Sequence, residues 1–416
     1  MTGTDTAAPD DAVMIPAART AATLLTASAV GRLPQAMSAL AVVQLVVGGG
    51  GTYSLAAAAT AAFVLAGTLG QPLLGRLVDR TGRPRPVLIG SAVVSAAALL
   101  LLAGSVRTAP VVLAAAALAG FMSPPLEPTL RGFWPRLFPE PERLHRAFSA
   151  DVAVQEVLFI VGPLLTVLAV STFGAPGAVR LMGLLGLLGT VLFCLHRRPA
   201  DAWNAARRRR TRGRPSALRI GALRVLVRAQ ATAGLPIGVL TITATTHADR
   251  AGVDAAAGWG LAANAVGALL GAVLVAAFPL RPAPEVMIRR LLLVLAALYL
   301  PTAAVGLPTA GWLVCAFVAG LGLPPLLTQV FDVVGRIAPG DVTTEANAWV
   351  VSAFSVGIAA GTLLGGVAVE IPASPGTGIL VAVVGACALT AAGGLQTRPR
   401  RLISEGTTAP RDSGPA

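Results

Sequence analysis

Twelve apolar stretches, each near the roughly 20 residues that cross the hydrocarbon core of a bilayer, divide the chain of 416 residues and leave few folds open to it. They lie near residues 21–47, 53–75, 86–106, 109–131, 148–171 and 178–196, and again near 219–244, 254–279, 288–307, 310–335, 344–369 and 373–394. Charged residues make up only 12% of the sequence, against about 25% in soluble domains. So few charges cannot clothe a surface in water, and the mean hydropathy of +0.75 agrees. The solvent of this chain is lipid, and the expected fold class is an all-α membrane protein.

The charges that remain sit between the stretches. A net charge of +13 could signal nucleic-acid binding, but the arginines occupy loops and form no interleaved basic and aromatic surface, so no nucleic-acid partner is expected. Arg76, Arg80, Arg83 and Arg85 follow the second stretch, Arg136, Arg143 and Arg146 the fourth, and Arg207 to Arg210 the sixth. By the positive-inside rule these loops are cytoplasmic, which puts both termini in the cytoplasm of a multi-pass cell-membrane protein. The first apolar stretch is too long for the core of a cleavable signal peptide and is expected to remain.

The second half repeats the first at an offset of about 200 residues. Ala119, Gly120, Pro124, Pro125 and Leu126 recur as Ala319, Gly320, Pro324, Pro325 and Leu326; Leu33 and Pro34 recur as Leu235 and Pro236; and Gly162, Leu164 and Leu165 recur as Gly361, Leu363 and Leu364. An even number of crossings in each half makes the repeats parallel, related by an axis along the membrane normal. The expected organisation is a cytoplasmic tail 1–18, a six-helix bundle 19–196, a basic cytoplasmic linker 197–218, a second six-helix bundle 219–395 and a cytoplasmic tail 396–416.

After the second stretch the chain reads Gly75, Arg76, Leu77, Val78, Asp79, Arg80, Thr81, Gly82, Arg83, Pro84, Arg85. This resembles the G-x-x-x-D-R-x-G-R-[RK] signature of the major facilitator superfamily, in the loop where that family carries it. With the twelve stretches, the basic central loop and the parallel repeats, the resemblance covers the whole membrane region, and the Arg-only basic set suggests a bacterial, actinobacterial-like member. It implies two six-helix bundles about a pseudo-two-fold axis, and a latch of Gly75, Asp79, Arg80, Gly82 and Arg83 that closes the cytoplasmic side in the outward-facing state. The physics agrees: Gly75 admits a neighbouring backbone, Gly82 a tight turn, and Asp79 can accept from a helix start. Around Asp341, Thr343, Thr344 and Glu345 such a helix start is expected on the same face. With Gly75 aligned to Gly271, Val275 stands where the second copy's acid would be, so one half alone carries the full latch.

Ionisable groups inside the stretches cost at least about 2.5 kcal/mol each unless they find a partner or a cavity. Arg32, Glu127, Glu156 and Arg228 are the principal ones; Asp151 and Arg131 lie nearer the cytoplasmic ends, where an interfacial role is expected. Glu127 and Arg131 share a helix face, which allows a local ion pair or an exchange of partners with Arg80 or Arg83. Glu156 has no charged residue one turn away, so it is a candidate for proton coupling, with a pair to Arg32 as the structural alternative. Pro34, Pro125, Pro163, Pro236 and Pro325 fit bent helices around a cavity lined by stretches one, four, seven and ten.

Cys194, Cys315 and Cys387 have no C-x-x-C spacing, and His145, His196 and His247 no metal spacing; no P-loop is present. Neither an enzyme nor any cofactor is expected. The sequence reads as a secondary transporter of a small solute, acting as a monomer, with proton-coupled efflux of a drug-like compound or metabolite placed ahead of nutrient uptake. Two departures weigh against antiport within the resemblance: Ala116 stands where proton-coupled relatives hold an Arg, and Gly162-Pro163 keeps only a fragment of the antiporter pattern. A sensor or scaffold that has lost transport is the alternative from another class.

Overall fold

The computed structural model describes residues 10–105, 108–195, 216–253, 255–278, 284–339, 342–369 and 375–396. Within these every regular element is helical. The first half comprises α1 (Asp10–Gly48), α2 (Tyr53–Thr81), α3 (Pro84–Gly104), α4 (Ala109–Phe121), α5 (Leu126–Leu137) and α6 (Pro141–Leu195). The second comprises α7 (Gly221–Ala251), α8 (Ala255–Ala277), α9 (Pro284–Tyr299), α10 (Thr309–Gly320), α11 (Leu323–Ile337), α12 (Thr343–Val369) and α13 (Pro375–Gln396). The expected linker falls mostly outside the described residues, as do Asp341 and the Arg207 to Arg210 run.

Two departures from the twelve expected stretches have simple causes. Helix α6 is 55 residues long, about 80 Å at 1.5 Å per residue, far more than one crossing of a core about 30 Å thick. It reverses at Gly174, whose backbone leaves helical geometry at φ 71° and ψ 169°, a conformation that glycine enters without steric cost. Its arms 141–173 and 175–195 are therefore the fifth and sixth crossings, joined without the loop that the sequence suggests. The fourth crossing, by contrast, is broken between α4 and α5 at Met122 to Pro125, and the tenth between α10 and α11 at Leu321 and Gly322. Pro124 and Pro125, like Pro324 and Pro325, cannot donate the backbone N–H that a continuous helix needs. Pro34, Pro163 and Pro236 lie inside continuous helices instead.

The repeat is visible in packing. A side chain at Gly120 would fall on the Phe63 carbonyl, and one at Gly320 on the Asn264 carbonyl; in both halves the glycine lets two helix backbones touch. Gly70 meets Phe121 as Gly271 meets Leu321. This corrects the alignment of the halves: Gly271 answers to Gly70 and not to Gly75, so the position matching Asp79 is Leu280, outside the described residues. The second copy still lacks an acid there.

One face of the molecule carries Arg80, Arg83, Arg136, Arg143 and Arg336, and is called the basic face below. Near it the apolar core runs from half to half, through Val78, Phe133, Phe148, Phe331 and Val334. Toward the opposite face the first half keeps a separate cluster around Met37, Leu45, Phe63 and Leu99. The halves are thus fused at one end.

Candidate functional site

The fused end is built on the start of α12. The first N–H groups of a helix have no partner within it and sit at the positive end of its dipole. There the Asp79 carboxylate, from the last turn of α2, accepts the Glu345 N–H at 2.8 Å. Gly75, one turn earlier, makes the approach possible: an added Cβ would lie 3.2 Å from the Thr344 carbonyl oxygen and 3.4 Å from Ala348 Cβ. Gly82 ends α2 in the left-handed conformation, at φ 57°, and turns the chain into α3. Thr343 and Thr344 pack over Gly132 of α5, and the Thr343 hydroxyl donates to the Pro339 carbonyl at 2.9 Å.

The arginines of this segment do not do what the sequence suggests. Arg80 and Arg83 are exposed on the basic face, and Glu127 pairs elsewhere. Arg76 is the residue that turns inward, with Nε 3.9 Å from Glu345 Oε2. Glu345 also accepts the Ser216 hydroxyl at 2.5 Å, which ties the chain entering α7 to the same helix start.

Above this contact lies a buried charge network. Arg32 of α1 pairs with Glu127 at 3.1 Å and Asp151 at 3.0 Å, and also bonds Gln155. Arg131 pairs with Glu127 at 2.6 Å and Asp151 at 2.5 Å. Two cations and two acids thus form a closed square, the arrangement that makes buried charge tolerable. Asp151 is fully buried, which corrects the expectation of an interfacial role. Its signal in the sequence is the balance of charges: two arginines inside stretches one and four require two acids nearby. Arg131 also stacks on Phe331 of the second half, 3.4 Å from guanidinium carbon to ring centroid.

A cavity of about 310 Å³ opens directly above the network. Its walls include residues 32–38 of α1, 63–71 of α2, 152–159 of α6 and 351–358 of α12, each near the middle of its crossing. The cavity therefore lies at mid-membrane depth between the halves. Stretches two, five and eleven line it as fully as one, four and ten, whereas α7 contributes Gln230 alone.

Glu156 lines this cavity, 4% exposed. Among the described residues its carboxyl has no ion pair or hydrogen bond, and Arg32, the expected structural partner, is held by Glu127 and Asp151 instead. Arg228, expected in the cavity, is exposed on the outside of α7. Two residues along a helix turn 200° at 3.6 residues per turn, so turning Gln230 inward sends Arg228 out.

A cavity enclosed by two repeated bundles is the architecture of a solute carrier, and comparison with known proteins agrees. The profile of the Major Facilitator Superfamily matches residues 24–361. The chain is similar to the human organic anion transporter MFSD10 (TETRAN), with TM-score 0.69 and 16% identity over 92% of this chain and 100% of that one. It is also similar to a bacterial homologue of the iron transporter ferroportin in an outward-facing state, with TM-score 0.67 and 17% identity over 91% and 99% of the two chains. A third likeness is to the E. coli fucose:proton symporter FucP, with TM-score 0.62 and 16% identity over 93% and 99%. At such identities these likenesses speak for the fold. No curated protein sequence matches the chain. The family profile spans well over half of the sequence, so this chain belongs to the Major Facilitator Superfamily, whose fold serves secondary transport of a solute across a membrane.

Proposed function

We propose that the chain exports a small drug-like solute or metabolite across the cell membrane in exchange for protons, working as a monomer by alternating access. The observation that carries the exchange is Glu156: a carboxyl buried at mid-depth, in the cavity shared by the halves, with no partner among the described residues. A carboxylate in that position is stabilised either by a proton or by a ligand, which is what coupling requires.

The basic face is the cytoplasmic one in this reading, following the arginine asymmetry. Closure there by Asp79, Gly75 and the start of α12 supports an outward-facing state, with Asp79, Gly82 and the helix start forming the latch that releases when the halves rock. Arg76 takes part in that latch, while Arg80 and Arg83 serve topology. A cavity completed within one chain supports action as a monomer.

The test is flux in vesicles reconstituted with the full chain, loaded with a pH-sensitive dye and challenged with solutes that raise its thermal stability. A solute-dependent movement of protons is expected in the parent protein. Glu156→Gln should abolish it while the same solutes, at higher concentration, still raise the thermal stability; unchanged proton movement would remove Glu156 from the mechanism. Solute-induced stabilisation without proton movement in either protein would overturn exchange itself.

A further inference from the structure

The charge balance of the cavity says what kind of solute it suits. Four side chains at its floor cancel: Arg32 and Arg131 against Glu127 and Asp151, all within 3.1 Å of one another in pairs. Glu156 is left over, so with its carboxyl ionised the site carries one negative charge. An anionic solute would have to displace an acid from that square to reach either arginine. A monocation meets no such cost.

The opposite wall adds chemistry of a different kind. The second half contributes no charged residue to the lining. It presents Gln230, whose amide oxygen and nitrogen are both buried without partners, and Ser352, whose hydroxyl is likewise unpartnered. Gln230 is fully buried and Ser352 is 4% exposed. Buried polar groups are normally satisfied, and orphans in a cavity wall are satisfied by what fills the cavity. The amide oxygen and the hydroxyl can take N–H donors; the amide nitrogen needs an acceptor oxygen. Phe63, Phe159, Leu327 and Phe354 supply the apolar remainder of the wall.

We infer that the cavity binds a protonated amine that carries a nearby hydroxyl or carbonyl oxygen on an apolar, aromatic-sized body, with the ammonium at Glu156 and the polar edge at Gln230 and Ser352. This rests on the reading of Glu156 as the coupling group. The groups that face it are Arg32 from α1 and Glu127 and Arg131 from α5, neutralised together with Asp151 of α6, and the buried Tyr299 phenol from α9, within electrostatic reach; α7 and α12 offer only neutral partners. Proton and ammonium therefore compete for one carboxylate. When the amine binds, the Glu156 proton leaves to the solution on the open side, and when the amine is released a proton returns. One positive charge moves each way, so the exchange is electroneutral.

A matched set of probes isolates the charge: 2-amino-1-phenylethanol, 1-phenyl-1,2-ethanediol and mandelate share a body and differ in one group. Titration calorimetry on the full chain in lipid nanodiscs should show the amine binding about tenfold or more tighter than the diol, with mandelate weakest. Amine affinity should fall as the pH is lowered, and runs in two buffers of different ionisation heat should show proton release on binding. Glu156→Gln should bring the amine down to the level of the diol. Mandelate binding tightest, equal binding of amine and diol, an amine preference that survives in Glu156→Gln, or no binding of the three at millimolar concentration would each overturn the inference. The pH dependence of the parent protein reads the same competition without any variant. Because binding is measured without a gradient, loss of the amine preference with intact Glu156-dependent proton flux sinks the substrate class alone. An amine preference without proton flux sinks the exchange alone.

Discussion

Asp79 and Glu345 are 266 residues apart in sequence, and the carboxylate of one accepts the backbone N–H of the other at 2.8 Å. The contact joins the last turn of α2 to the first turn of α12, across the two halves. It uses a donor that every helix start leaves free, so no side chain of the second half needs to be charged to make it. A closing contact of this kind therefore needs no acid in the second repeat, where Leu280 stands at the position matching Asp79.

Replacing Asp79 with Asn removes the charge from this contact and keeps its shape. The loss of charge against the helix start should cost about 1 to 2 kcal/mol, enough to shift a balanced equilibrium roughly tenfold away from the observed closure. A cysteine at Val334, buried where the halves meet, reports the shift when Cys315 is first replaced by Ser. Faster labelling by a maleimide from the basic face is expected in Asp79→Asn, and equal labelling would show that Asp79 is no latch.

Gly75 sets the spacing of the same contact. A Cβ there stands 3.2 Å from the Thr344 carbonyl oxygen, tight for Ala and untenable for the branched Val without separation of α2 from α12. Labelling at Val334 should therefore rise slightly in Gly75→Ala and strongly in Gly75→Val. Because strain acts on one state only, the thermal stability of Gly75→Val should fall less than its labelling rises. A variant that labels like the parent would mean that the close approach carries no weight.

The buried square of charges is tested through its balance. Asp151→Asn leaves Arg131 and Arg32 with one acid between them, an uncompensated buried charge worth about 3 to 5 kcal/mol. Thermal unfolding in detergent should show this as a marked loss. Adding Arg131→Gln restores neutrality, and the double variant should recover a substantial part of the loss. Additive losses in the double variant would show that the four groups act independently.

How far the sequence reaches is seen in α7. Apolar length and the arginine loops were enough to place twelve crossings, and the repeats were enough to pair the halves. The start of α12 could be set opposite Asp79 because topology puts both on one face and a helix start has free donors whatever its side chains. Which side of α7 faces the cavity was not readable: Ala, Leu and Val surround both Arg228 and Gln230, and in lipid an apolar residue marks neither inside nor outside. Asp151 was misplaced for a related reason, since its partners Arg32 and Arg131 lie on other helices and only packing shows that they converge. The repeat alignment slipped by about one turn around Gly271 because Gly and Ala recur too often to fix a register.

The orientation of α7 makes its own prediction. Arg228 is exposed while Gln230 is fully buried in the cavity wall. In vesicles, Arg228→Leu should leave transport unchanged, whereas Gln230→Leu should lower it by weakening solute binding, seen as a higher KM. The reverse pattern would mean that α7 is rotated about its axis relative to the structure described above.

The second tie between the halves is Arg131 over the Phe331 ring, 3.4 Å from the centroid. It differs from the Asp79 contact in one respect: Arg131 is also bonded to Glu127, which lines the cavity. A desolvated cation over an aromatic ring is worth about 1 kcal/mol, so Phe331→Leu, which keeps the apolar bulk, should shift the equilibrium about fivefold. The two ties sit in separate networks, and their effects on labelling at Val334 should multiply, giving roughly fiftyfold in the double variant. The difference between them emerges with solute present. Solute that contacts Glu127 perturbs the partner of Arg131 and leaves Asp79 untouched. The labelling response to a bound solute should therefore be blunted in Phe331→Leu and retained in Asp79→Asn. A response retained equally in both variants would show that the cavity does not communicate with the basic face through Arg131.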